Sequence, residues 1–175
     1  KSGALAPDRS PSKLDLRVAA MEDGRVTLEA TSATENDGDW AADGTFGLEW
    51  PGGYGQTGAI LETNGRSVVR EFVALQGSVT AGAMARMDSF AFPADPLQGR
   101  AIAFEDVTIP SELGVLPAWL VEGDHDRWAI FVHGKGANRR EALRMLPAVQ
   151  GAGLTSLVIT YRNDIEAPPS DDGFY

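Results

Sequence analysis

Apolar and polar residues alternate along much of the first half of the chain, a pattern that predicts half-buried β-strands. Three short segments show the alternation clearly: residues 14–18, 26–30 and 46–50. Asp23-Gly24 and Asn64-Gly65 are strong hairpin-turn signals, because both residue pairs readily adopt the left-handed backbone that tight turns require. We therefore predict a small antiparallel β-rich region at residues 14–98, preceded by a linker rich in Ser, Pro and Ala at residues 1–13.

After the β-rich region the pattern changes to short, nearly continuous apolar runs. Segments 107–109 and 116–121 flank a turn from Pro110 to Gly114, which predicts an antiparallel hairpin. Residues 128–132 are all apolar, and residues 156–161 are mostly so. Short runs of this kind are typical of strands that are buried on both faces of a sheet.

The segment between these two runs has the spacing of an amphipathic helix. Its apolar residues share one helical face: Ala142, Leu143, Leu146 and Val149. We place the helix at residues 139–150 and expect Pro147 to kink it, because proline removes a backbone donor and crowds the preceding turn. Strand, helix and strand would form a βαβ unit with a right-handed crossover. Residues 99–175 therefore predict an α/β fold, a hairpin followed by this unit.

A glycine-rich turn, His133-Gly134-Lys135-Gly136, joins the first buried strand to the helix. Asn138 can cap the helix, and Glu141 can bond back to the Asn138 N–H in a capping box. The turn leaves backbone N–H groups at the carboxyl end of a buried strand, which is where ligands bind in open α/β sheets. The sequence therefore predicts a ligand site at this turn.

The motif His-Gly-x-Gly-x-x-Arg between a buried strand and a helix resembles the amino-terminal portion of the α/β-hydrolases, a superfamily that includes serine hydrolases and esterases. The resemblance implies that residues 99–175 are the first part of an α/β-hydrolase domain, with an extra β-rich region before it. In that family the turn contributes to the oxyanion hole. The Lys135 backbone N–H would then be the donor, and Gly134 and Gly136 would let the backbone approach the substrate.

The resemblance also assigns roles to neighbouring residues. Arg139 closes the motif, while Tyr161, Arg162 and Asn163 follow the second buried strand at the same edge of the predicted sheet. This loop borders the active site in the family, so these four residues would bind substrate. His133 would shape the turn by hydrogen bonding and would not be the general base.

The function implied is hydrolysis of a carboxylic ester, thioester or peptide bond in a small-molecule acyl or peptide substrate, without a cofactor. The G-x-S-x-G segment that carries the nucleophile in this family does not occur in the 175 residues. Nucleophile, acid and catalytic His are therefore expected beyond Tyr175, in a C-terminal remainder of the same hydrolase. Similar bacterial hydrolases often carry an upstream hydrophobic anchor, so the resemblance implies an extracytoplasmic, membrane-anchored protein. The alternatives are a non-catalytic binding module on a similar scaffold and a haloperoxidase- or lyase-like variant of the same fold.

Charge and cysteine content exclude several other functions. The formal net charge is −10, and no basic stripe is present to neutralise phosphates, which argues against a nucleic-acid partner. The chain has no cysteine, which excludes disulfides, a thiol nucleophile and cysteine-based metal sites.

Overall fold

The computed structural model describes residues 13–34 and 38–171, and its strands form two sheets. The predicted linker lies outside the described residues except for Lys13. Backbone contacts divide the chain into two compact units, one ending at Pro93 and the other beginning at Ala94.

The first unit is a closed barrel of six antiparallel strands in the order β1-β2-β5-β4-β3-β6. The strands are β1 Leu16–Glu22, β2 Arg25–Ala30, β3 Phe46–Trp50, β4 Gly53–Asn64, β5 Ser67–Gln76 and β6 Met84–Asp88. A short 3-10 helix, Gly38–Ala41, precedes β3. Both predicted hairpin turns are confirmed, since Glu22 pairs with Arg25 and Asn64 pairs with Ser67.

The barrel interior is filled by side chains that alternate along the strands. Its fully buried members are mainly aliphatic and aromatic: Leu16, Val18, Val26, Leu28, Leu48, Trp50, Val68, Phe72 and Ala85. Burying a large apolar side chain contributes roughly 1.5–3 kcal/mol relative to leaving it exposed, so this cluster is the main source of the barrel's stability.

One charged side chain, Arg70, is also fully buried inside the barrel unit. Its guanidinium donates hydrogen bonds to four backbone carbonyls, at 2.8–3.2 Å: those of Trp40, Ala42, Gly44 and Gly58. Burial lowers the pKa of Arg70 below its ordinary value, and the nearby Asp43 carboxylate opposes that shift. Arg70 therefore ties the segment before β3 to the strands.

The second unit contains a four-stranded sheet in the order β7-β8-β10-β9. Its strands are β7 Glu105–Ser111, β8 Gly114–Val121, β9 Asp124–Phe131 and β10 Leu154–Ile159. The predicted hairpin is confirmed as β7 and β8, and β10 runs parallel to β9 and antiparallel to β8. Its helical segments are α1 Pro96–Arg100, a 3-10 helix Arg139–Arg144 and α2 Leu146–Gly151.

The α/β fold class predicted for the chain is wrong. The protein is mainly β, with 48% strand and 12% helix, and a closed barrel forms its first half. The predicted helix at residues 139–150 is instead a 3-10 helix followed by the short helix α2. Pro147 lies in the first turn of α2, where its missing N–H is tolerated, so a new helix begins there instead of a kinked one continuing.

The prediction that residues 128–132 are buried on both faces is also wrong. Trp128, Ile130 and Val132 are 54%, 63% and 63% exposed. The reason is that, within residues 13–34 and 38–171, β9 forms an edge of its sheet and pairs with β10 alone. Among the described residues, no helix has the length and apolar character needed to cross a membrane.

Candidate functional site

The turn that follows β9 is anchored by a buried His–Asp pair. The His133 Nε2 atom lies 2.8 Å from the Asp164 Oδ2 atom, and both side chains are only 2% exposed. The Tyr161 ring stacks on the imidazole, with 4.4 Å between ring centroids, and its hydroxyl donates to the His133 carbonyl at 3.2 Å. The Tyr161 N–H donates to Asp164 Oδ2 at 2.9 Å. These three side chains join the ends of the parallel strands β9 and β10.

Both ring nitrogens of His133 have partners. The Nδ1 atom lies 3.0 Å from the Gly134 carbonyl oxygen, and Nε2 faces Asp164. A general base needs a free nitrogen to accept a proton from a nucleophile. His133 therefore shapes the turn, as its place at the strand end predicted.

The backbone of the turn is held from a second direction by Glu141. The Gly134 N–H donates to Glu141 Oε2 at 3.1 Å, and the Ala137 N–H donates to the Gly134 carbonyl at 3.0 Å. The predicted capping box is thus only half correct. The Asn138 side chain does cap, accepting from the Arg140 N–H at 2.9 Å, but the Glu141 carboxylate binds the turn instead of the Asn138 N–H.

The next two backbone donors in the turn are open. The N–H groups of Lys135 and Gly136 form no hydrogen bond with any residue of the described ranges, and Gly134, Lys135 and Gly136 are all exposed. A Cβ added to Gly134 or to Gly136 would have no atom within 4 Å. Glycine is favoured at position 136 for a different reason, since its φ of 77° lies in the left-handed region. The turn therefore presents two unpaired N–H groups to its surroundings.

The loop after β10 is organised by Asn163, which is buried and has a left-handed φ of 70°. Its amide donates to the Ser170 hydroxyl at 2.8 Å and accepts from the Ser170 N–H at 2.9 Å. Asn163 was predicted to bind substrate, but the structure uses its side chain to close the loop. Arg162 is exposed and, with Tyr161, lines an open cavity of about 650 Å³.

Arg139, another predicted site residue, is also buried, at 7% exposure. Its guanidinium lies 4.3 Å from the centre of the Trp119 ring and forms an ion pair with Glu166. The structure thus brings the turn and Tyr161 together and places Arg139 in a separate buried contact. The sequence predicted no role for Asp164 and predicted a different N–H partner for Glu141. The signal that could have indicated Asp164 is its position after the same strand as Tyr161.

No group of three or more His, Cys, Asp or Glu side chains suited to a metal ion occurs within the described residues.

Comparison with known proteins gives one family match, on the barrel. Residues 17–88 are similar to a family model described as a domain of unknown function (DUF8805), which covers less than half of the chain. No curated protein and no solved structure matches the chain. The resemblance to the α/β-hydrolases is therefore wrong: the match lies on a β-barrel domain, and the fold is mainly β. The membrane anchor implied by that resemblance is withdrawn with it.

Proposed function

We propose that the turn Gly134–Gly136 binds the oxygen of a carbonyl or carboxylate group through the backbone N–H groups of Lys135 and Gly136. The chemistry proposed for it is hydrolysis of a carboxylic ester, thioester or peptide bond in a small acyl or peptide substrate. The observation that supports this is the pair of exposed N–H groups without partners among the described residues. Acyl transfer places negative charge on a carbonyl oxygen, and fixed N–H donors stabilise that charge without reorganising.

The surroundings of the turn support a preorganised site. The buried contact between His133 and Asp164 fixes the strand end, and Glu141 holds the Gly134 N–H. Each of these partners lies on a different element, so the turn is held before any ligand arrives. Donors that are already oriented do not lose free energy to ordering when charge develops.

Hydrolysis also requires a nucleophile and a base. Among the described side chains, both His133 nitrogens and the Ser170 hydroxyl already have partners. In this proposal the two groups come from residues outside 13–34 and 38–171, such as a C-terminal remainder of the same hydrolase.

A second candidate is a non-catalytic module that binds a carboxylate at the same turn. The observation that favours it is the occupancy of both His133 ring nitrogens, which leaves the imidazole a structural role. The two candidates share the binding step and differ in turnover.

A pair of variants at Lys135 tests the binding step. Lys135→Ala keeps the backbone N–H, so hydrolysis of neutral p-nitrophenyl acetate should stay within a few-fold of the unmodified protein. Lys135→Pro has no N–H, so we expect a loss of about 10²-fold or more, as when an oxyanion donor is removed. Lys13→Ala is the matched control for loss of an exposed ammonium group. A large loss in Lys135→Ala alone would assign the effect to its side chain and reject the backbone proposal.

An amide-resolved NMR titration with acetate separates the two candidates. Turnover together with shifts of the Lys135 and Gly136 amides supports a hydrolase. Shifts without turnover above the buffer rate, lost in Lys135→Pro, support the binding module. Neither turnover nor shifts would overturn both.

A further inference from the structure

The hairpin of β4 and β5 ends in a tip that carries an asparagine followed by a glycine. Asn64 is the last residue of β4, and it pairs with Ser67, the first residue of β5. Gly65 and Arg66 form the two-residue loop between them. Gly65 has a left-handed φ of 58°, which glycine adopts at little cost. Asn64, Gly65 and Arg66 are all exposed, so water reaches the tip.

The chemical groups of Asn64 and Gly65 are not engaged elsewhere. The Asn64 carboxamide forms no hydrogen bond with any residue that the structure describes, and neither does the Gly65 N–H. No described atom lies within 4 Å of a Cβ built on Gly65. The carboxamide can therefore turn toward the next backbone nitrogen without breaking a hydrogen bond or meeting another side chain.

The two other asparagines of residues 13–34 and 38–171 are held in place. Asn163 is buried, and its side chain bonds to the hydroxyl and the N–H of Ser170 at 2.8 and 2.9 Å. The Asn138 side chain accepts from the Arg140 N–H at 2.9 Å. Neither asparagine is followed by a glycine. Asn64 therefore differs from both in its unbound carboxamide and in the residue that follows it.

Asparagine is one of the thermally labile residues, because its side chain can close a ring with the nitrogen of the next residue. At the hairpin tip the Gly65 nitrogen attacks Cγ of Asn64. The new N–Cγ bond forms, the Cγ–Nδ2 bond breaks, and Nδ2 leaves as ammonia with the proton of the Gly65 nitrogen. Water then opens the resulting succinimide at either carbonyl, which gives aspartate by one route and isoaspartate by the other. Glycine favours the attack, since it has no side chain beside the nitrogen.

We propose that Asn64 is a site of spontaneous modification, at which the folded protein deamidates to aspartate and isoaspartate. The reagents are the Gly65 nitrogen of the chain itself and water, so no enzyme or cofactor takes part. This proposal concerns the barrel alone and does not depend on the function proposed for the Gly134–Gly136 turn.

The modification changes the tip of the hairpin. Either product adds a negative charge to a chain whose formal net charge is already −10. In isoaspartate the main chain runs through the former side chain, so it gains one carbon between β4 and β5. The carbonyl of residue 64, which accepts from the Ser67 hydroxyl at 3.2 Å, then becomes a carboxylate outside the main chain. The pair between residues 64 and 67 is therefore lost in isoaspartate, and the end of the hairpin loosens.

Peptide mass spectrometry of the 175-residue chain tests the proposal. The protein is incubated at mildly alkaline pH, folded and in parallel unfolded in guanidinium chloride, and the deamidation rate is measured at each asparagine. We expect folding to slow Asn64 less than tenfold, because its reacting groups are unbound, and to slow Asn163 more than tenfold, because Ser170 holds its amide. A tenfold or greater slowing at Asn64, equal slowing at the two residues, or a product without isoaspartate would overturn the proposal.

Two variants test the ring closure itself. Asn64→Gln keeps an uncharged amide but has to close a larger ring, so we expect deamidation at position 64 to be at least tenfold slower. Gly65→Ala places a Cβ beside the attacking nitrogen and should slow Asn64 by a similar factor. Gly24→Ala, the same change at another exposed hairpin glycine with a positive φ, should leave the rate at Asn64 unchanged. An unchanged rate in Asn64→Gln would reject the mechanism, and this variant decides the question if Gly65→Ala does not fold.

Discussion

The barrel unit and the unit of the four-stranded sheet each bury an arginine beside an aromatic ring, but the two arginines differ in their hydrogen bonds. Arg70 lies 5.4 Å from the centre of the Phe46 ring and reaches four backbone carbonyls. Arg139 lies 4.3 Å from the centre of the Trp119 ring but leaves Nε and Nη1 without partners.

The buried carboxylates of the two units differ in the same way. In the barrel, Asp88 Oδ2 accepts from the Tyr54 hydroxyl at 2.6 Å and its Oδ1 accepts from the Phe90 N–H at 3.1 Å. In the second unit, Asp164 has partners on Oδ2 alone. Complete pairing of buried charge is the usual arrangement in native proteins, so Arg70 and Asp88 follow that rule, and Arg139 and Asp164 depart from it.

The largest effect on stability should follow from removing the completely paired arginine. Arg70→Met removes the fully buried guanidinium that donates to four backbone carbonyls, so we expect the free energy of unfolding to fall by about 3–5 kcal/mol. Urea denaturation followed by circular dichroism measures it. Arg25→Met, the same change at an exposed position at the start of β2, should alter stability by no more than about 0.5 kcal/mol. Similar values for the two variants would mean that Arg70 does not fasten the barrel.

A smaller loss of stability should follow from adding a methyl group where the Tyr54 side chain packs against the Gly47 backbone. A Cβ on Gly47 would overlap the Tyr54 hydroxyl, which cannot move away without releasing Asp88. We expect Gly47→Ala to lower the unfolding free energy by about 3 kcal/mol through overpacking and the lost hydrogen bond. Differential scanning calorimetry would show it as a lower melting temperature, and an unchanged melting temperature would contradict the geometry.

The incompletely paired arginine should matter much less for stability. Arg139→Met removes an ion pair to the exposed Glu166, but it also removes two nitrogens that are buried without partners. Because these terms oppose each other, we expect a change within about 1 kcal/mol in either direction. If Arg139→Met lowered the unfolding free energy as much as Arg70→Met in the same urea experiment, the two arginines would contribute equally to stability, which would contradict this comparison.

The smallest effect is expected at the exposed turn. No atom lies within 4 Å of a Cβ built on Gly134, and its φ is not positive. Gly134→Ala should therefore change the unfolding free energy by less than about 0.5 kcal/mol. It is the matched counterpart of Gly47→Ala, and a comparable loss in both variants would remove the distinction between a packed and an open glycine.

Local patterns in the sequence predicted the hairpins of the barrel but did not predict that the strands close into a barrel. Asp23-Gly24 and Asn64-Gly65 each determine a turn with two residues. The barrel closes where β1 pairs with β6, for example Leu16 with Ala85. These residues are distant in sequence, so no local hydrophobic pattern predicts their pairing. Residues 90–92 form no strand, because the chain turns at Asp88 and Ala91 has a left-handed φ of 66°.

The candidate site was partly predictable for a related reason. The glycine turn after an apolar run located the exposed donors, since composition and order suffice for that. The burial of Arg139 was not visible, because an arginine on a helix usually indicates a solvated side chain. The partner of Glu141 was also not predictable, because the capping-box spacing points to the Asn138 N–H, whereas the carboxylate accepts from the Gly134 N–H seven residues earlier.

The exposed edge strand β9 makes the solution behaviour of the protein sensitive to salt. Among the described residues β9 is an edge strand with the exposed side chains of Trp128 and Ile130, and such an edge can pair with the same edge of another copy. The net charge of −10 opposes this, because two copies repel each other at long range. Salt shortens that range from about 10 Å at 0.1 M to about 3 Å at 1 M. Colloidal association, measured by light scattering, should therefore increase as salt is added.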